Sequence, residues 1–224
     1  MNKEVQITIG SNILSGNDLQ ARQNQTLFTQ QRVLAVNLMS SPGAGKTTLL
    51  ERTIENLRDK VQIGVIEGDL YTDFDARRIE KTGIRAIQIN TVGACHLDAT
   101  MIAKTLPELG LANLELLFIE NVGNLVCPAE FHLGEDIKAV VMSTAEGNDK
   151  VHKYPLIFRE ANVIILNKLD LLPYTDFDLD RFRTDVAKVN THAPVFTVSG
   201  KTGVGIPNWC EWLLEGVRVK NLNP

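Results

Sequence analysis

The sequence predicts an α/β fold: one domain with a mostly parallel, doubly wound sheet and helices on both faces. Three observations carry that prediction. Short runs rich in Val, Ile and Leu recur without polar alternation, helical segments separate them, and a glycine-rich loop joins the first run to a helix. Strands covered on both faces read as continuous apolar runs, and strand–helix alternation favours right-handed crossovers into a parallel sheet. At 224 residues, 44% apolar and 22% charged, the chain has the size and composition of a single large globular domain.

The elements follow in order. Residues 4–9 alternate, with Val5, Ile7 and Ile9 on one side, and read as a short strand or extended arm. A polar helix is expected from Asp18 to about Gln31, capped by Asn17 or Asp18. Its apolar residues are few (Leu19, Leu27, Phe28), which places it outside the core. Residues 1–32 thus form an N-terminal arm and helix, and 33–224 the main domain. Strands are expected at 33–39, 61–66, 114–120, 137–142, 162–166 and 195–198. Helices are expected at 47–59, 74–82, 97–106, 177–189 and 206–217. Such a sheet takes ligands at the carboxyl ends of its strands, and every motif below falls at one.

Charge and composition exclude several classes. The net charge is −4 and Lys and Arg are scattered, so no basic surface for nucleic acid is expected. The first residues hold no continuous apolar stretch, which argues against a secretory signal or a membrane span. Three cysteines without dense spacing argue against a disulfide scaffold and point to a reducing cytoplasm.

The loop SSPGAGKTT (40–48) lies between VLAVNLM and LLERTIENL, the strand–loop–helix setting of a phosphate-binding loop, so the fold is a phosphate-loop NTPase. Gly43 and Gly45 let backbone N–H groups, including that of Ala44, turn toward phosphate oxygens, and the helix start adds its positive dipole end. Lys46 is expected on the β- and γ-phosphates, Thr47 on Mg²⁺ and Thr48 beside it. Ser40 stands where the usual pattern has its first glycine.

NKLD (167–170) closes a later apolar strand and selects the base. The Asp170 carboxylate can accept both the N1 and N2 hydrogens of guanine, Lys168 can cover the ring, and Asn167 can tie this loop to the phosphate loop. SGKTG follows the last strand, so Ser199, Gly200 and Lys201 can border the base. GTP and GDP are the expected ligands. Asp69 in EGD and Glu120 in ENVG end strands and are candidates to hold Mg²⁺ or its waters and sense the γ-phosphate, with Asp75 a further candidate. With Lys46, Asp69 and Glu120 are the candidate catalytic residues. No Gln occupies the usual water-orienting place and no arginine finger is evident, so intrinsic hydrolysis should be slow.

Cys95-His96 in TVGACHLDA and Cys127 in NVGNLVCPAE make a thiolate–imidazole–thiolate set suited to Zn²⁺ or Ni²⁺. Spacing alone favours the reading as small buried cysteines. Cys210, between Trp209 and Trp212, reads as core, and His132, His152 and His192 as surface residues.

Taken together, SSPGAGKTT, EGD with DARR, GACHLDA, ENVGNLVCPAEFHLGE, NKLDLL and SGKTG resemble the HypB family of hydrogenase nickel-incorporation GTPases, from about Val33 onward. The resemblance implies a SIMIBI-class GTPase that delivers nickel to the large subunit of [NiFe]-hydrogenase. It implies that Cys95, His96 and Cys127 ligate nickel or zinc, that GTP drives homodimerisation, and that a HypA-type protein relays nickel. Some family members carry N-terminal Cys-rich or His-rich tracts. Here no cysteine precedes residue 95 and no histidine precedes 96, so transfer rests on the switch-linked site. The rivals are a urease-type nickel-delivery GTPase, which usually shows Cys-Pro-His, a small-molecule kinase on the same loop, and a nucleotide-binding metal-storage protein.

Overall fold

The computed structural model describes residues 9–69 and 74–222, with side chains from residue 14 onward. Seven parallel strands form one sheet: β1 (Leu34–Ser40), β2 (Ile63–Asp69), β3 (Ala86–Asn90), β4 (Leu116–Glu120), β5 (Ile137–Ser143), β6 (Val163–Asn167) and β7 (Val195–Thr197). Their order is β3-β2-β4-β1-β5-β6-β7. The chain winds outward from β1 in both directions, so the carboxyl ends of β1, β2, β4 and β6 converge on one edge. Every residue of β1, β4, β5 and β6 is buried.

Six strands correspond to the expected runs and the seventh, β3, does not. Its sequence AIQIN alternates apolar and polar residues, because an edge strand is half exposed and needs no continuous apolar run.

Helices cover both faces. On one, α2 (Lys46–Leu57), α3 (Phe74–Glu80) and α9 (Ile206–Leu222) set Leu49, Ile54, Ile79, Trp209 and Leu213 against Val36, Leu38 and Val65. On the other, α1 (Ile9–Gln30) and α4 (Ala99–Leu109) set Phe28, Ile102 and Leu106 against Ala35, Ile66 and Leu117. Farther along that face come α5 (Cys127–Glu130), α6 (Lys150–Lys153), α7 (Pro155–Glu160) and α8 (Leu179–Val189). Phe158 and Phe182 there cover Val140 and Leu166. Successive β1 residues serve opposite faces, as the two-residue strand period requires.

The N-terminal helix departs from expectation. It begins at Ile9, so Asn17 and Asp18 lie inside it and neither caps it. Phe28 is fully buried and Asn17 and Asn24 nearly so, while Leu19 stays in solvent, so α1 is a packed layer of the core face. Of the strand or arm expected at 4–9, Ile9 instead opens this helix, and 4–8 lie outside the described residues. The short α5, α6 and α7 were not expected: helices of four to six residues are too brief to show a periodic face. Helix α4 starts two residues later than the apolar pattern suggests, because Asp98 caps it by accepting from the Met101 N–H at 2.7 Å.

Candidate nucleotide and metal sites

Strand β1 delivers the phosphate-type loop and α2 starts at Lys46. Gly43 and Gly45 take φ of 75° and 94°, left-handed values that L side chains rarely adopt. A Cβ on Gly45 would also meet Asn167 Nδ2 at 2.7 Å. That amide donates to the carbonyls of Ala44 at 3.1 Å and Gly45 at 3.3 Å, while Asn167 Oδ1 accepts from Gly200 N at 3.0 Å. One buried side chain therefore joins the loops after β1, β6 and β7. Lys46 Nζ donates to Ser40 Oγ at 2.8 Å, which gives the serine that replaces the usual glycine a partner of its own. Lys168 reaches over the loop to donate to the Gly43 carbonyl at 2.6 Å.

Two adjoining hollows flank this loop. A cleft of 510 Å³ is walled by Gly43, Gly45 to Thr48, Glu67 to Asp69, Asp75, Arg78 and Glu120 to Gly123. A second, of 310 Å³, is bordered by Thr48, Asn167, Lys168, Asp170, Gly200 and Lys201. Asp170 accepts from Ser199 Oγ at 2.6 Å, which fixes the carboxylate at its rim. The first hollow suits phosphates and the second a flat base.

The carboxylates cluster at the floor of the larger cleft. Thr47 Oγ1 donates to Glu120 Oε1 at 2.9 Å, and Glu67 lies opposite Glu120 in the β2–β4 register. Burial pushes Glu67 well above the usual carboxyl range, and the charges of Glu120 and Asp75 push it further. Burial also raises Glu120, against the pull of Lys46 and the Thr47 hydroxyl. Glu67 Oε1 and Glu120 Oε2 are buried without a protein hydrogen-bond partner. An oxygen-only set with orphaned acceptors fits a hard divalent cation such as Mg²⁺. Asp75, on the first turn of α3, accepts from Arg78 Nη1 at 3.2 Å.

The second group lies beside the first. Cys95 Sγ is 3.1 Å from Cys127 Sγ and 3.8 Å from His96 Nδ1, and one ligand atom of each lies within 4.8 Å of the others. Cys127 opens α5, while Cys95-His96 sit on the loop between β3 and α4. Asn124 stitches the two segments, donating to the Cys95 carbonyl at 3.2 Å and accepting from Val126 N at 2.9 Å. The His96 ring lies 3.9 Å from that of Phe131. Burial lowers its pKa, against Asp98 and Glu130, which favours the neutral imidazole that a metal needs. Contact with Cys95, and then burial, raises the Cys127 thiol. Cys95 itself is exposed. Among the described residues this is the cluster of three with soft ligands.

The model of the CobW/HypB/UreG nucleotide-binding domain matches residues 34–197. A hydrogenase maturation factor HypB of Rhizobium leguminosarum bv. viciae is 50% identical over 95% of this chain and 71% of its own. The chain belongs to the HypB hydrogenase maturation factors. The crystal structure of HypB from Archaeoglobus fulgidus superposes with a TM-score of 0.85 at 38% identity, covering 91% of this chain and 99% of that one. HypB from Helicobacter pylori, solved in complex with nickel, gives a TM-score of 0.85 at 39% identity over 91% of this chain and 95% of its own.

Within this HypB chain several cleft and cluster residues escaped sequence reasoning. Glu67 shares the cleft with Asp69, since the two-residue strand period puts both on one side of β2. Arg78 faces the cleft because Glu51 and Thr48 hold its guanidinium at 2.6 and 3.0 Å, long-range partners no local pattern announces. Asn121 and Asn124 lie inside ENVGNLVCP, where the acid and the cysteine carry the chemical signal and an asparagine carries none. Cys210 is buried, its thiol pushed up to about 12 by burial, and His132, His152 and His192 are at the surface, as expected. No described helix is long and apolar enough to cross a membrane.

Proposed function

We propose that this chain is a GTP-binding and GTP-hydrolysing nickel carrier for [NiFe]-hydrogenase maturation, its metal site responsive to the bound nucleotide. The observation that carries this reading is position. The Cys95–His96–Cys127 cluster adjoins the ends of β2 and β4, whose terminal residues Asp69 and Glu120 wall the nucleotide cleft.

In this reading Gly43, Ala44, Gly45 and Thr48 wrap the phosphates and Lys46 offsets charge on the β- and γ-groups. Asp170 accepts from guanine, Lys168 covers the ring, Asn167 holds the two loops together, and Ser199, Gly200 and Lys201 edge the base. Thr47 and Glu120, with Asp69 and Asp75 nearby, would hold Mg²⁺, which when bound neutralises developing phosphate charge. Lys46, Asp69 and Glu120 are the residues through which the γ-phosphate is sensed, and intrinsic turnover is slow.

Nickel is the cargo. Two thiolates and an imidazole favour Ni²⁺ or Zn²⁺ over the hard cation of the neighbouring cleft, and three ligands leave a position for handover. Nickel arrives from a HypA-type relay protein and leaves for the hydrogenase large subunit, with GTP-dependent homodimerisation bringing two such sites together. The whole cycle takes place in the cytoplasm, without nucleic acid or membrane.

The test is a nickel titration of metal-free protein loaded with GDP or with a non-hydrolysable GTP analogue. An affinity difference of about fivefold or more, abolished in Cys127→Ala, is expected. Superimposable curves, with the same dimer fraction in both states, would sink the proposal.

A further inference from the structure

The proposed switching needs a physical link between two ligands that share no side chain, and the chain between them contains a candidate. Leu97 follows His96 directly and is fully buried. Its side chain occupies the notch above Gly68, where a Cβ would lie 2.7 Å from both Leu97 Cγ and Cδ1. Gly68 stands between Glu67 and Asp69, the acids at the end of β2. The Leu97 amide donates to Asn121 Oδ1 at 3.1 Å, and that oxygen also accepts from Val122 N at 3.0 Å. Asn121 directly follows Glu120 and is itself buried.

One leucine therefore touches both strand ends that wall the phosphate cleft, by packing on one side and by hydrogen bonding on the other. The upstream end of its loop is also attached there, since Thr91 N donates to the Asp69 carbonyl at 2.9 Å. Cys95-His96 is thus suspended between two attachments to the cleft wall.

The far side of the loop is fixed. Ala99 donates to Asn17 Oδ1 at 2.9 Å, and its carbonyl accepts from Asn24 Nδ2 at 2.8 Å. The same two α1 asparagines hold the carbonyls of His132 at 2.9 Å and Leu133 at 2.8 Å, just beyond the Cys127 segment. A shift of Gly68 or Asn121 therefore passes to the Cys95-His96 pair, because α4 is pinned at its first residue. Close packing transmits such shifts instead of absorbing them.

We propose that Leu97 is the relay between nucleotide and nickel, with Gly68 and Asn121 as the positioning residues that drive it and α1 as the fixed frame. This rests on the reading of the chain as a nucleotide-switched nickel carrier.

The experiment uses the full chain and measures the ratio of nickel affinities with GDP and with the GTP analogue, together with the nickel–thiolate absorption band in each state. In Leu97→Ala the ratio should fall to within about twofold of one and the band should become the same in both states, with GDP affinity kept within about threefold. Gly68→Ala, whose Cβ would meet Leu97 Cγ and Cδ1 at 2.7 Å and so displaces the leucine side chain, should disturb the ratio likewise. This second variant keeps the test open should Leu97→Ala not fold. A wild-type ratio of one would overturn both the carrier reading and the relay. A wild-type difference that persists in Leu97→Ala, or in Gly68→Ala, would overturn the relay alone, even where the melting temperature falls.

Discussion

The two sites at the carboxyl edge of the sheet are built in opposite ways. The nucleotide cleft is held by interior groups: Lys46, Thr47, Glu67, Glu120 and Asn167 are all buried, and each loop is bonded to the next. The metal cluster hangs on loops, with Cys95 exposed and His96 and Cys127 half-buried. A site held from within is suited to recognising one ligand, and a site hung at the surface to receiving and releasing one. The difference predicts that damage should travel unequally.

The largest effect is expected for Lys46→Ala. It removes the cation that opposes the effect of burial on Glu120 and leaves two buried carboxyls facing each other. Loss of one member of a buried charge set costs about 2–5 kcal/mol, so GTP affinity should fall on the order of a hundredfold or more. Nickel affinity in the nucleotide-free protein should stay within about threefold, because no metal ligand touches the lysine. Isothermal titration with each ligand separately checks both halves. A comparable loss of nickel binding would mean that the two sites are one structural unit.

A smaller effect is expected from pH, and it should act on the metal site. In the proposed carrier nickel would take the Cys127 thiolate, and the raised thiol pKa means that near neutrality a proton must leave when metal binds. Binding therefore strengthens as pH rises toward the folded pKa. It weakens by about tenfold per unit as pH falls below it, through this proton alone. Burial lowers the His96 pKa, which reduces the share of its proton in the slope. Nickel titrations at pH 6, 7 and 8 should show the slope in wild-type protein and lose this component in Cys127→Ala. A flat profile would exclude Cys127 as a thiolate ligand.

The same contrast explains what could be read in the sequence. Central strands announce themselves because both faces are buried, and the phosphate loop because its geometry demands Gly43, Gly45 and Lys46 at fixed spacing. The Cys95, His96 and Cys127 set was visible as residue types, but only the fold brings residues 32 apart to within 3.1 Å. The half-exposed β3 and the inward turn of Asn17 and Asn24 were hidden. Edge strands lack a continuous apolar run, and an asparagine reads the same whether it caps a helix or bonds to a distant carbonyl. Glu67 and Arg78 were hidden for the same reason, since their partners lie on other elements.

Asn124 offers the finest probe of the contrast. It binds no metal in this arrangement, yet its amide reaches the Cys95 carbonyl and its oxygen holds the amide of Val126, beside Cys127. Removing such a supporting contact typically lowers metal affinity by about 10–100-fold, and at a half-exposed site the lower figure applies. Asn124→Ala should therefore weaken nickel binding about tenfold and leave GDP affinity unchanged, since the residue is not among those walling either hollow. Asn124→Asp keeps the acceptor for Val126 N but loses the donor to Cys95. If it binds nickel as wild type does, the Val126 contact alone sets the geometry. If it matches the alanine variant, the amide, which bonds to both the Cys95 carbonyl and the Cys127 thiol, is what holds the thiols together.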